Sequence, residues 1–164
     1  MKLRFLSIFA AAAMLAACES APEDTGAKAG TGTAAPPATK SVGIVPGSEQ
    51  DFIANVGDRV FFDYDRYNVR ADAKASLDKQ VAWLKKYPTY NVTVEGHADE
   101  RGTREYNLAL GERRANAVKD YLVAGGLPAA RVKTISYGKE RPVALGSNEA
   151  AWSQNRRGVT VLSK

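Results

Sequence analysis

Residues 90–126 read YNVTVEGHADERGTREYNLALGERRANAVKDYLVAGG, and this stretch decides the fold. Tyr90 to Gly96 alternates apolar and polar side chains, the period of a half-buried strand. An acid, Asp99, stands just beyond the strand end, and Gly102 turns the chain. Thr103 then offers a side-chain oxygen as N-cap, and Glu105 complements the helix dipole in the first turn. The helix runs to Val123, and Gly125-Gly126 ends it. Asn107, Gly111 and Arg114 fall at i, i+4 and i+7 and share one face, which Val118 and Tyr121 extend. Arg114 thus tops an otherwise apolar stripe, while its neighbour Arg113 points elsewhere, to solvent.

Working outward from this unit, Val60-Phe61-Phe62 is a short apolar strand. Ala71 to Tyr87 carries Leu77, Val81 and Leu84 at helical spacing, and Pro88 stops it. Downstream, Val132 to Tyr137 is a third strand, Glu149 to Asn155 a short helix, and Gly158 to Leu162 a last strand. Asp51 to Ala54 is expected to add a further small strand. The order β-α-β-α-β-(α)-β predicts an α+β fold of two layers, a mixed sheet with its helices on one face. Residues 50–164 supply one core of that type.

The rest of the chain has a different composition. Residues 19–48 are mostly Ala, Gly, Pro, Thr and Ser, with no apolar period, and Pro36-Pro37 blocks a helix. Such a stretch buries too little apolar surface to offset its ordering entropy. It is expected to be a tether averaging roughly 30 Å end to end and stretching to about 100 Å. Before it, Lys2 and Arg4 precede an apolar run from Phe5 to Ala17. That run is about 13 residues, short of the roughly 20 that cross a bilayer, and has the form of a secretory signal.

The signal ends Leu15-Ala16-Ala17-Cys18, which resembles the bacterial lipobox. The resemblance implies cleavage after Ala17 and lipidation of Cys18, the only cysteine in the chain. Glu19 follows, not aspartate, and by the sorting rule of enteric lipoproteins this resembles an outer-membrane address on the periplasmic side. The expected organisation is therefore a signal over residues 1–17, a lipidated Cys18 with a tether over 18–49, and a domain over 50–164.

Charge and composition exclude several functions. The formal net charge is +5, and losing Lys2 and Arg4 with the leader brings it near +3. The basic runs are dipeptides such as Arg113-Arg114 and Arg156-Arg157, with no longer Lys/Arg tract, a weak footprint for nucleic acid. One cysteine allows no internal disulfide, and one histidine, His97, excludes most multi-histidine metal sites. No metal and no cofactor are expected; His97 reads as a strand-end residue beside a groove. Trp83, Trp152, Phe61 and Phe62 read as core side chains.

The candidate chemistry lies in Asp99 and Arg114. On the residues alone two readings stand. The two pair with each other, or both face a ligand bearing an ammonium and a carboxylate, with Arg114 as a bidentate fork and Asp99 as the ammonium's counter-charge. A hydrolytic reading, with Asp65 and Asp99 as acid and base, would need paired carboxylates with split pKa values and has no nucleophile motif beside it.

The stretch EGHADERGTREYNLALGERRANAVKDYL resembles the core motif of the OmpA-like peptidoglycan-binding domains, most closely their lipid-anchored members, the peptidoglycan-associated lipoproteins. The resemblance covers residues from about 50 to 164 and includes VFFDYDRY at 60–67, SYGKERP at 136–142 and Asn155-Arg156-Arg157. It implies an OmpA-like two-layer sandwich and a non-catalytic function: binding peptidoglycan, with the side-chain zwitterion of meso-diaminopimelate held by Asp99 and Arg114. The family's asparagine falls on Asn107, and a further acid at the site falls on Asp65. Ala98, Leu110, Tyr67 and Arg157 follow as secondary candidates, with either Arg156 or Arg157 near the groove. The resemblance also implies a partner, the periplasmic β-propeller protein TolB, and the Tol system that draws the outer membrane inward at division. Arg104, where these relatives commonly have proline, and Asn68, where aspartate is common, depart from the pattern without touching the site.

Overall fold

A computed structural model describes residues 43–164. The expected signal, Cys18 and most of the tether lie outside the described residues.

The sheet is built from β1 (Arg59–Phe61), β2 (Asn91–His97), β3 (Val132–Gly138) and β4 (Arg157–Ser163). The helices are α1 (Glu49–Asp51), α2 (Ala71–Lys86), α3 (Arg104–Ala124) and α4 (Glu149–Asn155). The strand order is β1-β4-β2-β3. β2 and β3 run parallel, joined by the α3 crossover, while β4 returns between β1 and β2 and runs antiparallel to both. This is the mixed α+β sheet that the periodicity predicts.

Strand alternation sets the two faces. Val92 and Val94 are buried under the helices, whereas Asn91, Thr93 and Glu95 keep contact with solvent on the other side. α2 contributes Leu77, Val81, Trp83 and Leu84 to the core, and α3 contributes Ala115, Val118 and Leu122. The α2 ends follow simple electrostatics: Asp72 lies in the first turn and Lys85 and Lys86 in the last. Thr103 caps α3, its hydroxyl accepting the Tyr106 N–H at 3.2 Å. Gln80, fully buried in α2, accepts from the Thr160 hydroxyl at 2.8 Å and donates to the Gly57 carbonyl at 2.8 Å, which removes the cost of burying an amide.

α3 is pressed onto the sheet at two glycines. A Cβ on Gly96 would lie 1.8 Å from the Gly111 carbonyl oxygen, and one on Gly111 would lie 2.3 Å from Ser136 Oγ. Only glycine at both positions permits this approach. The contact fixes the height of Asn107 and Arg114 above the strand ends.

Two sequence expectations fail here. Asp51 to Ala54 is not a strand: α1 continues into a single π-helical turn, Phe52–Val56. Ser48 caps the turn by accepting the Asp51 N–H at 3.1 Å. The Asp51 carboxylate is tied by the Gly47 N–H at 2.8 Å and by the Trp83 indole N–H at 2.9 Å, while Phe52 packs on Trp83 with ring centroids 5.0 Å apart. Those bonds, from the Gly47 amide first, hold the Asp51 carboxyl down to about 2. The second concerns the domain's start. The Tyr90 hydroxyl donates to the Gly47 carbonyl at 2.9 Å, so Gly47 and Ser48, placed in the tether by composition, are packed into the folded unit.

Candidate functional site

The chain between β2 and α3 delivers Asp99 and Gly102, the first turns of α3 deliver Tyr106, Asn107, Leu110 and Arg114, and the loop after β1 delivers Tyr64 and Asp65. These residues, with Arg101, line one small pocket of about 170 Å³. Asp99, Asn107 and Arg114, which the strand–turn–helix spacing sets near one another, are brought together with Asp65 and Leu110, which the family resemblance implies.

The backbone shows how tightly the pocket is specified. Asp65 adopts φ 53°, and it is the one non-glycine residue with positive φ among the described residues. An aspartate tolerates this left-handed conformation better than most side chains. Its carboxylate accepts the Tyr106 hydroxyl, which raises the Tyr106 pKa. Asn107 donates to the Arg101 carbonyl at 2.8 Å and so closes the turn at Gly102 from the inside. Lys139 ties the same turn from the outside, donating to the Glu100 and Gly102 carbonyls at 3.2 and 2.7 Å.

Arg114 and Asp99 do not pair with each other. Arg114 donates to three carbonyls instead: Arg66 at 2.8 Å, His97 at 2.8 Å and Asp63 at 3.1 Å. Its guanidinium also lies 5.2 Å from the Phe62 ring centroid. The expected anionic partner is replaced by carbonyl dipoles, which spares the cost of a second buried charge. Burial pushes Arg114 down to about 10, so it stays cationic at neutral pH. Of its five N–H groups, three are committed and one on each terminal nitrogen remains. Although Arg114 abuts the pocket, its exposure is 0%.

Asp99 is held by two other arginines. Arg101 donates from its backbone N and its Nε to one carboxylate oxygen, at 3.1 and 3.2 Å, and from a terminal nitrogen to the other at 2.6 Å. Arg156 adds a longer contact at 3.4 Å, donates to the Phe62 carbonyl at 3.0 Å and bonds to Glu149 on α4. Burial acts to raise the Asp99 carboxyl, but these donors outweigh it and hold it below the usual carboxylate range. The Arg101 guanidinium is sandwiched between Tyr64 and Trp152, 4.0 Å from each ring centroid.

Several sequence expectations are corrected by this geometry. Of the Arg156-Arg157 pair, Arg156 reaches Asp99. Arg157 points to the opposite face of the sheet, where it donates to the Asn155 and Arg141 carbonyls, because successive strand residues alternate faces. Tyr67 lies outside the pocket, half exposed, with the Arg113 guanidinium 5.7 Å from its ring. Ala98 is buried and borders a neighbouring hollow with Pro142 and Leu145. His97 turns its ring to the far face beside Tyr137, and reaches the groove only through its carbonyl. Trp152 is no core residue: it is half-buried, stacks on Arg101 and donates its indole N–H to Glu100 at 3.0 Å. Phe61 is likewise only half-buried, whereas Phe62 and Trp83 are core.

Sequence reasoning missed Arg101, Tyr64 and Tyr106, and left open which of Arg156 and Arg157 reaches the groove. A signal existed for Arg101, two residues after Asp99 in the same turn, and for Tyr64, next to Asp65. None existed for the pairing of Arg156 with Asp99, 57 residues apart.

Residues 61–156 match the OmpA family. The chain is 60% identical over 148 residues to the peptidoglycan-associated lipoprotein of Rhizobium meliloti, covering 90% of this chain and 81% of the relative. It is 41% identical over 157 residues to the peptidoglycan-associated lipoprotein of Haemophilus influenzae, covering 96% and 95%. Among solved structures, the peptidoglycan-associated lipoprotein from Burkholderia pseudomallei superposes with a TM-score of 0.66 at 41% identity, covering 70% of this chain and 98% of that one. The two glycines that seat α3, the capped turn at Thr103 and the pocket they shape thus stand inside a shared fold: the chain belongs to the OmpA family and, within it, to the peptidoglycan-associated lipoproteins.

Proposed function

We propose that this protein binds peptidoglycan without catalysis, holding the diaminopimelate of the stem peptide in the Asp99–Arg114 pocket while a lipid on Cys18 anchors the chain to the periplasmic face of the outer membrane. The observation that carries this reading is the convergence of Asp99, Asp65 and Arg114 on one small pocket in a chain of this family. The free end of the diaminopimelate side chain bears an ammonium and a carboxylate on one carbon. The ammonium goes to Asp99, with Asp65 as a further acid of the lining. The carboxylate goes to the two uncommitted N–H groups of Arg114, one on each terminal nitrogen, which is the bidentate geometry. Asn107 and Leu110 position the approach, Asn107 by holding the Gly102 turn.

A hydrolase is disfavoured by the same geometry. Acid–base cleavage needs one carboxyl raised toward neutrality, and Asp99 is lowered. Release of soluble muropeptides by the purified protein should be nil. The resemblance to the lipid-anchored relatives further supports a role in the Tol system, with TolB as a partner, in keeping the envelope intact and drawing the outer membrane inward at division. The anchor is checked by fatty-acid labelling: Cys18→Ser should take up no label, and equal labelling of both forms would refute it.

The site is tested by pull-down on insoluble sacculi of two kinds, one with diaminopimelate and one with lysine at the third stem position. Lysine keeps an ammonium and lacks the carboxylate, so Arg114 is left without its partner. The expected loss is on the order of 30-fold or more. Asp99→Asn should also lose most binding to the diaminopimelate wall. Equal retention on the two walls would contradict the reading.

A further inference from the structure

In this structure the two groups assigned to the ligand are closed to solvent: Asp99 is 4% exposed and Arg114 0%. Asp99 is closed by the chain itself. Both of its carboxylate oxygens already accept from Arg101, one of them twice, and the other also takes the longer contact from Arg156. A ligand cation therefore competes with Arg101 for the carboxylate.

The Arg101 side chain is built to withdraw while its backbone stays. Its N–H is held by Asp99 and its carbonyl by Asn107, so the turn is fixed at both ends. The side chain itself is 29% exposed, and apart from its bonds to Asp99 it is retained by contacts that slide: two aromatic faces, Tyr64 and Trp152, and Glu149 at 3.9 Å. Arg156, by contrast, is 5% exposed and committed to Phe62, Glu149 and Asp99 at once, so it stays when Arg101 leaves.

We propose that Arg101 is an internal stand-in for the ligand's ammonium, a latch that exchanges with that cation on Asp99 and so makes a cationic group a condition of entry. This rests on the reading that the pocket takes the diaminopimelate ammonium. Exchange conserves charge at Asp99: one cation leaves as another arrives, and the buried carboxylate is never left unpaired. A ligand end that is anionic or neutral offers nothing to replace Arg101 and leaves the latch shut. The displaced guanidinium keeps Glu149 as a counter-charge, which lowers the cost of release.

The test is calorimetry with the soluble tripeptide L-alanyl-D-glutamyl-meso-diaminopimelate, using the wild-type protein and Arg101→Ala. Removing the competitor should tighten binding by about tenfold, the scale of a partly exposed ion pair with two cation–π contacts. An unchanged or weaker affinity of Arg101→Ala beside a binding wild type would overturn the latch and leave the site reading standing. No binding of the tripeptide by wild type would overturn the site reading and the latch together. A second readout needs no change at Arg101: saturating wild type with the tripeptide should alter the part of the emission that Trp152→Phe abolishes, because Arg101 leaves its ring. Trp152-dependent emission that stays constant at saturation would overturn the latch even if Arg101→Ala failed to fold.

Discussion

The two sides of the sheet at the end of β2 each bury an arginine, and they treat it differently. On the helix side Arg114, with no exposure, has three carbonyl acceptors, one for each of its nitrogens. On the far side Arg157, 4% exposed, reaches two carbonyls at 3.1 and 3.4 Å, and its Nε has no partner. Beside it His97 is 2% exposed, with both ring nitrogens unpartnered. Glu95 lies 3.6 Å from its Nε2, beyond hydrogen-bond reach. The comparison separates two uses of buried polarity. Satisfied donors hold Arg114 as a rigid pocket floor, while unsatisfied ones make the opposite side responsive to protons.

The largest effect should come from breaking the floor. Arg114→Met leaves the Asp63, Arg66 and His97 carbonyls without their donor and frees the loop that carries Tyr64 and Asp65. The loss should be on the order of 4 kcal/mol in urea denaturation. A loss below about 1 kcal/mol would mean that the three bonds do not organise the pocket. The same number warns that loss of wall binding by Arg114 variants reports folding as well as recognition, so the site is better tested from the ligand's side.

The far side should show itself in pH. Burial, then the nearby Arg157 and Arg141, push the His97 ring down from 6.5 to about 4. Glu95 opposes this from a half-exposed position and is outweighed, and the Tyr137 ring covers the imidazole without offering it an acceptor. As the pH falls the unfolded chain binds its proton first, near 6.5, so the His97 contribution is whole above that value and drains away toward pH 4. The full loss should reach up to about 3 kcal/mol. His97→Phe should flatten that part of the stability–pH curve relative to wild type, leaving the carboxylate-driven part. Parallel curves for the two proteins would show that the ring is not held neutral.

A smaller effect is expected where helix meets sheet. Gly111→Ala would gain up to about 1 kcal/mol from helix propensity alone. Its Cβ, however, would meet Ser136 Oγ at 2.3 Å and the Gly96 oxygen at 2.8 Å, and the backbone must yield. A net loss of about 2 kcal/mol, with weaker binding as Asn107 and Arg114 move, is the expected outcome. A net gain would show that the approach is not tight. Smallest of all should be Arg113→Ala. The side chain stands about 100° around the helix from Arg114, over the half-exposed Tyr67 and Tyr106 rings. Stability should move by less than about 0.5 kcal/mol, and wall binding should hardly change.

Much of this was legible in the residues. Periodicity and caps located all four strands and the three longer helices, because they carry local signals, such as Thr103 before α3 and Pro88 after α2. The turn at 49–56 was not legible as helical, because Asp51 is fixed by Trp83, 32 residues away. The pocket's composition was legible in the spacing of Asp99, Asn107 and Arg114 along one strand–turn–helix. Its internal bonding was not. Whether Asp99 meets Arg114, Arg101 or Arg156 depends on where β4 and α4 pass, and β4 is inserted between β1 and β2 from the far end of the chain. Trp152 read as core because it is large and apolar, and its stacking on Arg101 depends on the same docking of α4.

The central claim is that the pocket recognises a zwitterion and not merely a positive or negative charge. Calorimetric titration of one protein preparation with two soluble stem tripeptides, identical except for diaminopimelate or lysine at the third position, tests it most directly. The account predicts measurable binding of the diaminopimelate peptide and binding on the order of 30-fold weaker or absent for the lysine peptide. Equal affinity for the two would contradict it.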